Sequence, residues 1–343
     1  MKVLLIGGTG IISASVTALA MKTGWEVTLL NRGHSPVPHG ARSLVADTND
    51  EAAMQKVLTG ESFDVVAQFV AYTAQDVERD VRLFAGHTGQ YIFISSASAY
   101  QKPVCDYKIT ESTPLVNPYW QYSRDKIAAE DALMAAHRKS GFPVTIVRPS
   151  HTYCARKVPL ALHGEKGSWQ VLARMLAGKP VIIHGDGASL WTLTDADDFA
   201  RGFVGLMANP HALGTAVHIT ADESMTWEQI YGTVANALGV SLNAVHVSSV
   251  FLAECGREYD FAGQLLGDKA CSVVFDNSKI KHLVPGFQCK VTMAEGIRRA
   301  VHYVSRHSEC QPADPAFDAW CDRVIAAQNA AQTAFALSAA DKK

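Results

Sequence analysis

Apolar residues fall into two alternating rhythms along the first part of the chain. Short, continuous, β-branched runs occur at Lys2-Val-Leu-Leu-Ile6, Gly24-Trp-Glu-Val-Thr-Leu-Leu30, Ser43-Leu-Val-Ala-Asp47, Phe63-Asp-Val-Val-Ala-Gln-Phe-Val70 and Gln90-Tyr-Ile-Phe-Ile94. Runs of this kind suit strands covered on both faces. Between them lie stretches with helical spacing: the Ala-rich segment after Ser13, then 51–58, 76–86 and 122–140. Strand alternating with helix predicts a parallel, doubly wound sheet of the α/β class, whose ligands bind at the carboxyl ends of the strands. Beyond Arg148-Pro149 the alternation breaks, and helical patterns dominate at 168–177, 226–238 and 250–266. A smaller, mainly helical substrate lobe over the crevice is expected there. The helix Asp195 to Met207 and the strand Ala216 to Thr220 are expected to return to the first domain. The expected division is 1–154 completed by about 182–222, a lobe at 155–181 and 223–305, and a helical tail at 306–343.

The first strand runs into Gly7-Gly-Thr9-Gly10-Ile11-Ile12-Ser13 and then a helix. That order puts backbone N–H groups and a helix N-terminus around an anion, usually a pyrophosphate, as in a Rossmann-type domain. The second strand ends at Asn31-Arg32-Gly33, where an acidic residue would select the ribose 2′-hydroxyl of NAD. Here a neutral amide and an arginine stand instead. Arg32 either pairs with a 2′-phosphate or is an exposed turn residue, and the balance leans towards NADP within an NAD(P) assignment. Asp47, followed by Thr48, is placed to accept from the adenine amino group, with Asn49 or Asp50 capping the next helix. The Gly turn, Asp47, Ser96 and the segment after Val70 all fall at the same edge of the sheet.

The proton chemistry is expected in Asn117-Pro-Tyr-Trp-Gln-Tyr122-Ser-Arg-Asp-Lys126. On a helix, Tyr122 and Lys126 stack one turn apart on one side. A nearby cation favours the phenolate, so the pair suits proton transfer with an alcohol or carbonyl oxygen.

Composition narrows the classes. With 343 residues, 48% hydrophobic and 19% charged, the chain can bury a large core. A net charge of -2 offers no basic field for nucleic acid, and the 13 histidines are scattered, with His163, His184 and His218 not spaced as metal ligands, so no metal is expected. The seven cysteines, at 105, 154, 255, 271, 289, 310 and 321, read as reduced thiols. No apolar run is long enough to span a bilayer, and an apolar strand follows the first residue closely, so a cytoplasmic protein without a membrane partner is expected.

These residues resemble an extended short-chain dehydrogenase/reductase of the NAD-dependent epimerase/dehydratase branch. The resemblance rests on Gly7-x-x-Gly10, Asp47-Thr48, Ser95-Ser-Ala-Ser-Ala-Tyr100, Tyr122-Ser-Arg-Asp-Lys126, Val147-Arg-Pro-Ser-His-Thr-Tyr153, Gly185-Asp-Gly187, Asp197-Asp198-Phe-Ala and Phe275-Asp-Asn-Ser-Lys279. It implies Tyr122 as general acid/base, Lys126 as the cation that lowers its pKa and holds the nicotinamide ribose, and Ser96 as the partner of the substrate oxygen. It implies cofactor contacts from Gly7, Thr9, Gly10, Ile11, Ile12, Asn31, Arg32, Asp47, Thr48, Phe69, Val70, Ala71, Tyr122 and Lys126. Ser98, Tyr100, His151 and Trp191 are the implied substrate contacts, and a homodimer through helices 76–86 and 122–140 is implied as well. Epimerase, dehydratase and reductase all remain open, with Glu111, on an expected solvated loop, and His151 as candidate extra groups.

Departures from the family pattern carry their own expectations. Ser13 replaces the third glycine, and adjusted pyrophosphate contacts are expected from it. Gln68-Phe-Val-Ala-Tyr-Thr73 replaces the usual histidine-alanine pattern. Trp191 stands where nucleotide-sugar enzymes generally carry an arginine. An indole offers a stacking face in place of a phosphate clamp, so a sugar or other hydroxylated compound without a nucleotide is expected, or else Trp191 packs between the lobes. Two other classes compete. The Val27 to Gly33 turn resembles chloroplast stem-loop-binding proteins, and a non-catalytic NADP sensor is the other alternative.

Overall fold

The computed structural model describes residues 1–340, with side chains to residue 336. The chain forms two compact units, one made of 1–154, 192–223 and 274–291, the other of 155–191, 224–273 and 292–343.

The first unit is built on a seven-stranded sheet: β1 Lys2–Ile6, β2 Glu26–Asn31, β3 Arg42–Val45, β4 Phe63–Gln68, β5 Thr88–Ile94, β6 Val144–Pro149 and β7 Thr215–Ile219. The spatial order is β7-β6-β5-β4-β1-β2-β3 and every pairing is parallel, so the order reverses beside β1. β1 shows why its run is unbroken. Val3 and Leu5 join one apolar core while Leu4 and Ile6 join the other, and all four have no exposure. Over the first core α1 (Ile11–Lys22) packs with a helix at Ala196–Leu206. Over the second, α3 (Ala74–Phe84) packs on α4 (Gln121–Ser140) and also meets α2 (Glu51–Leu58).

Caps decide the boundaries. Asp50 accepts from the Ala53 N–H and starts α2 at Glu51. Thr73 and Asp76 form a reciprocal box that starts α3 at Ala74, two residues before the apolar spacing suggests. β2 begins at Glu26, because Gly24 at φ +80 still belongs to the turn that closes α1.

The second unit is mainly helical, with helices Trp169–Leu176, Trp227–Leu238, Met293–Val304 and Pro315–Ala340 and a parallel pair, Val181–His184 with Ala244–Val247. Residues 262–269 form a π-helix. The tail helix is held within this unit: Phe317, Trp320 and Val324 are buried, and Arg174 pairs with Asp318 and Asp322 at 2.7 Å each. Among the described residues no helix is long and apolar enough to cross a membrane, and no cluster of His, Cys, Asp or Glu is arranged to hold a metal.

Candidate active site

A cleft of ≈ 450 Å³ opens in the first unit where the strand order reverses. Of the expected cofactor residues, Gly7, Thr9, Gly10, Asn31, Arg32, Asp47, Thr48 and Val70 line it. Gly7 has φ +82, and a Cβ there would lie 2.4 Å from Val70 Cγ1, so side chains are excluded from the point where the turn meets the post-β4 segment. Ser13 braces the turn: its Oγ donates to the Gly7 carbonyl at 2.6 Å and accepts the Gly10 N–H at 2.8 Å. Thr17 Oγ1 donates to the Gly8 carbonyl at 2.8 Å. The hydroxyl at the third motif position therefore occupies the Gly10 N–H, leaving less backbone donor capacity for an anion at that point.

At the end of β2, Asn31 Oδ1 accepts the Gly33 N–H at 2.9 Å, while its buried Nδ2 has no hydrogen-bond partner. An orphaned donor in a cleft of this shape fits a ligand bearing acceptor oxygens. Arg32 is exposed on the rim, with His34 and Ser35 beside it. Asp47 closes a turn by accepting the Asn49 N–H at 2.9 Å. Gln68 has no exposure, donates to Asp80 at 2.6 Å and accepts the Val70 N–H at 2.9 Å, which fixes the segment facing Gly7. Besides Tyr122 and Lys126, four expected contacts are not on the cleft wall. Ile11 is an exposed residue at the start of α1, Ile12 packs on the core, Phe69 lies on Phe203 at 5.4 Å between ring centroids, and Ala71 is buried. Tyr72, Asp76, His34 and Ser35 line the cleft without having been singled out by any motif.

Next to the cleft, Lys126 projects from α4 into a fully packed slot, 1% exposed. Its Nζ donates to the Ala71 carbonyl at 2.7 Å and to the Ile94 carbonyl at 2.8 Å. It lies 4.6 Å from the ring centroid of Tyr72, 4.8 Å from that of Phe93 and 5.7 Å from that of Tyr122. Burial pushes the Lys126 pKa down to about 7, against the pull of Asp76 and Glu130. Tyr122 is half-buried, with its ring 4.9 Å from Trp120. Ser96 accepts the Ser98 N–H at 3.1 Å, its Oγ lies 2.8 Å from Ser98 Oγ, and Ser123 Oγ donates to Ser98 Oγ at 2.7 Å.

Behind these groups sits a buried polar network. Arg148 donates to Glu130 through Nε at 3.0 Å and through a terminal nitrogen at 2.5 Å, and Ser95 donates to the same carboxylate. His218 Nε2 lies 2.7 Å from the Asp276 carbonyl, so Nε2 carries the proton, Nδ1 accepts, and Tyr100 donates its hydroxyl to it at 3.1 Å. Tyr100, expected at the substrate, is thus 1% exposed and committed to an internal bond. Glu111 differs from the solvated residue expected: its side chain is 11% exposed and accepts the His218 N–H at 3.1 Å. Ser98 is buried, and His151 is half-buried in a short strand paired with Leu193–Asp195. In the second unit Trp191 is 3% exposed and stacks on Trp227 at 5.4 Å, so one of its faces is already covered.

Residues 3–220 match the family model described as the NAD dependent epimerase/dehydratase family. The 2'-dehydrokanamycin reductase of Streptomyces kanamyceticus is 29% identical over 293 residues, which is 84% of this chain and 80% of that protein. The chloroplast stem-loop binding protein of 41 kDa b of Arabidopsis thaliana is 26% identical over 257 residues, 69% of this chain and 63% of that protein. Among solved structures, the epimerase Mth375 of Methanothermobacter thermautotrophicus superposes with a TM-score of 0.73 at 16% identity, covering 90% of this chain and 93% of that one.

Proposed function

The chain belongs to the NAD dependent epimerase/dehydratase family, within the short-chain dehydrogenase/reductase superfamily, and we propose that it reduces a carbonyl, or oxidises the matching carbinol, on a sugar or related hydroxylated compound. The observation that carries this reading is the Lys126 ammonium, 5.7 Å from the Tyr122 ring and held beside the cleft by the Ala71 and Ile94 carbonyls. A rigidly held cation there favours the Tyr122 phenolate, and Tyr122 then gives or takes the proton of the reacting oxygen. Ser96 holds that oxygen. A nicotinamide bound in the cleft would supply or receive the hydride.

Reduction is favoured over the other family outcomes on two grounds. The relative aligned over 84% of this chain is named a reductase, and its name contains no nucleotide. Elimination needs a further acid and a further base; Ala97 and Ser98 beside Ser96 carry no ionisable group and Glu111 is tied to the His218 backbone, which leaves His151 alone where two groups are required. Asn31, Gly7 and the helix α1 N-terminus would hold the dinucleotide. Arg32, with His34 and Ser35, supports NADP over NAD, since a guanidinium suits a phosphate and no carboxylate stands at Asn31. The similarity to a stem-loop binding protein keeps nucleic acid as a second reading, against which the net charge of -2 weighs.

The test is a binding and turnover screen of the purified protein with NADPH and NADH, comparing free keto-sugars and glycosides with UDP-sugars. NADPH oxidation with a nucleotide-free carbonyl compound is expected, and so is the absence of a salt-sensitive shift with RNA. Micromolar UDP-sugar binding without binding of simple sugars would overturn the substrate class.

A further inference from the structure

The cofactor cleft, the Tyr122–Lys126 pair and Ser96 leave two side chains without a role: Ser123 and Ser98, whose hydroxyls run from the inside of α4 to Ser96. We infer that Ser123 and Ser98 are positioning residues that fix the Ser96 hydroxyl as a hydrogen-bond donor to the substrate oxygen, leaving proton exchange to Tyr122 alone. This rests on the reading of Ser96 as the group that holds that oxygen.

The direction follows from counting protons. Ser123 has no exposure and its Oγ donates to Ser98 Oγ at 2.7 Å. Ser98 is 3% exposed, and the Asn117 amide pins its backbone by donating to the Ser98 carbonyl at 2.8 Å. Having accepted from Ser123, Ser98 has one proton of its own to place, and Ser96 Oγ lies 2.8 Å away. If Ser96 donated to Ser98 instead, the Ser98 proton would be stranded in a buried position, which is the costlier arrangement. With Ser98 donating, Ser96 Oγ accepts from both the Ser98 hydroxyl and the Ser98 N–H, the latter at 3.1 Å. Both of its lone pairs are then occupied and only its proton remains to offer. Such a hydroxyl can stabilise negative charge growing on an oxygen, but it cannot remove a proton from it. The chain also ties Ser96 to α4, because Ser123 is the residue next to Tyr122. The two groups that meet the reacting oxygen are thereby set by one helix.

Neutron diffraction from deuterium-exchanged crystals of the protein with NADP⁺ reads the three hydroxyls directly, without requiring a known substrate. The expected maps put the Ser98 deuteron on the line to Ser96 Oγ and the Ser96 deuteron away from Ser98. In Ser123→Ala the vacated space can admit a water that takes the Ser98 proton and frees Ser98 Oγ to accept from Ser96, so the Ser96 deuteron is expected to redistribute over two orientations; Ser123→Thr, which keeps a donor, restores the single one. A Ser96 deuteron directed at Ser98 in the wild type, or one unmoved by Ser123→Ala, would overturn the inference. Failure of the underlying enzymatic reading shows elsewhere, as turnover that survives Tyr122→Phe.

Discussion

Lys126 combines two demands that pull in opposite directions. Two carbonyl oxygens and the faces of three aromatic rings favour its charge, while burial disfavours it and brings its pKa down to about 7. The unfolded chain keeps that lysine protonated up to about pH 10.4, so between the two values the unfolded state binds more protons. Stability therefore rises with pH through that window as the buried charge is relieved, and catalysis falls as the cation beside Tyr122 is lost. Opposite slopes of urea stability and of kcat/KM between pH 7 and 9 are the expected outcome, with the stability slope reduced in Lys126→Met. Parallel slopes would contradict it. The spacing of Tyr122 and Lys126 was legible in the sequence because a helix converts four residues into one turn. The surroundings of Tyr100 and Trp191 were not: Tyr100 meets His218 and Trp191 meets Trp227, partners fixed by strand pairing and helix packing far along the chain.

The alternation of strands and helices was legible because each buried strand is a continuous apolar run. Burial on both faces leaves no polar position to interrupt it. What the pattern did not reveal is how the Gly turn is held. Ser13 and Thr17 act on the turn through hydroxyls one and two helical steps away, and no spacing rule marks a serine as a brace. Two glycines with nearly the same positive φ separate strain from fit. Gly7→Ala brings a Cβ to 2.4 Å from Val70 Cγ1 at φ +82, and should cost about 1–3 kcal/mol and abolish dinucleotide binding. Gly24→Ala, at φ +80 with nothing within 4 Å, should cost about 1–2 kcal/mol and leave binding intact. Chemical denaturation and fluorescence titration with NADPH check both, and equal loss of binding in the two variants would contradict the steric account of the turn.

Across the molecule, the sequence marks the tail as an Ala-rich helix that either packs back through Phe317, Trp320 and Val324 or extends an oligomer interface, since alanine serves a packed helix and a solvated one equally well. Its two halves differ. The stretch to Ile325 is held by Phe317, Trp320 and Val324 and by the pairing of Arg174, whose side chain is 1% exposed, with Asp318 and Asp322. Removal of residues 312–343 leaves that guanidinium without carboxylates and should destabilise the second unit by about 3–5 kcal/mol or more. Gln332→Ala, at an exposed position beyond that stretch, should change stability by less than about 0.5 kcal/mol. Urea titration of the truncation and of the substitution distinguishes them, and equal midpoints would refute the anchoring role.

The claim on which the functional account rests is that one phenol moves the proton. With any carbonyl compound that the wild type reduces, Tyr122→Phe should bind NADPH within about twofold of the wild type and lose about 10²–10⁴-fold in kcat. A Tyr122→Phe enzyme that turns over at the wild-type rate would contradict it.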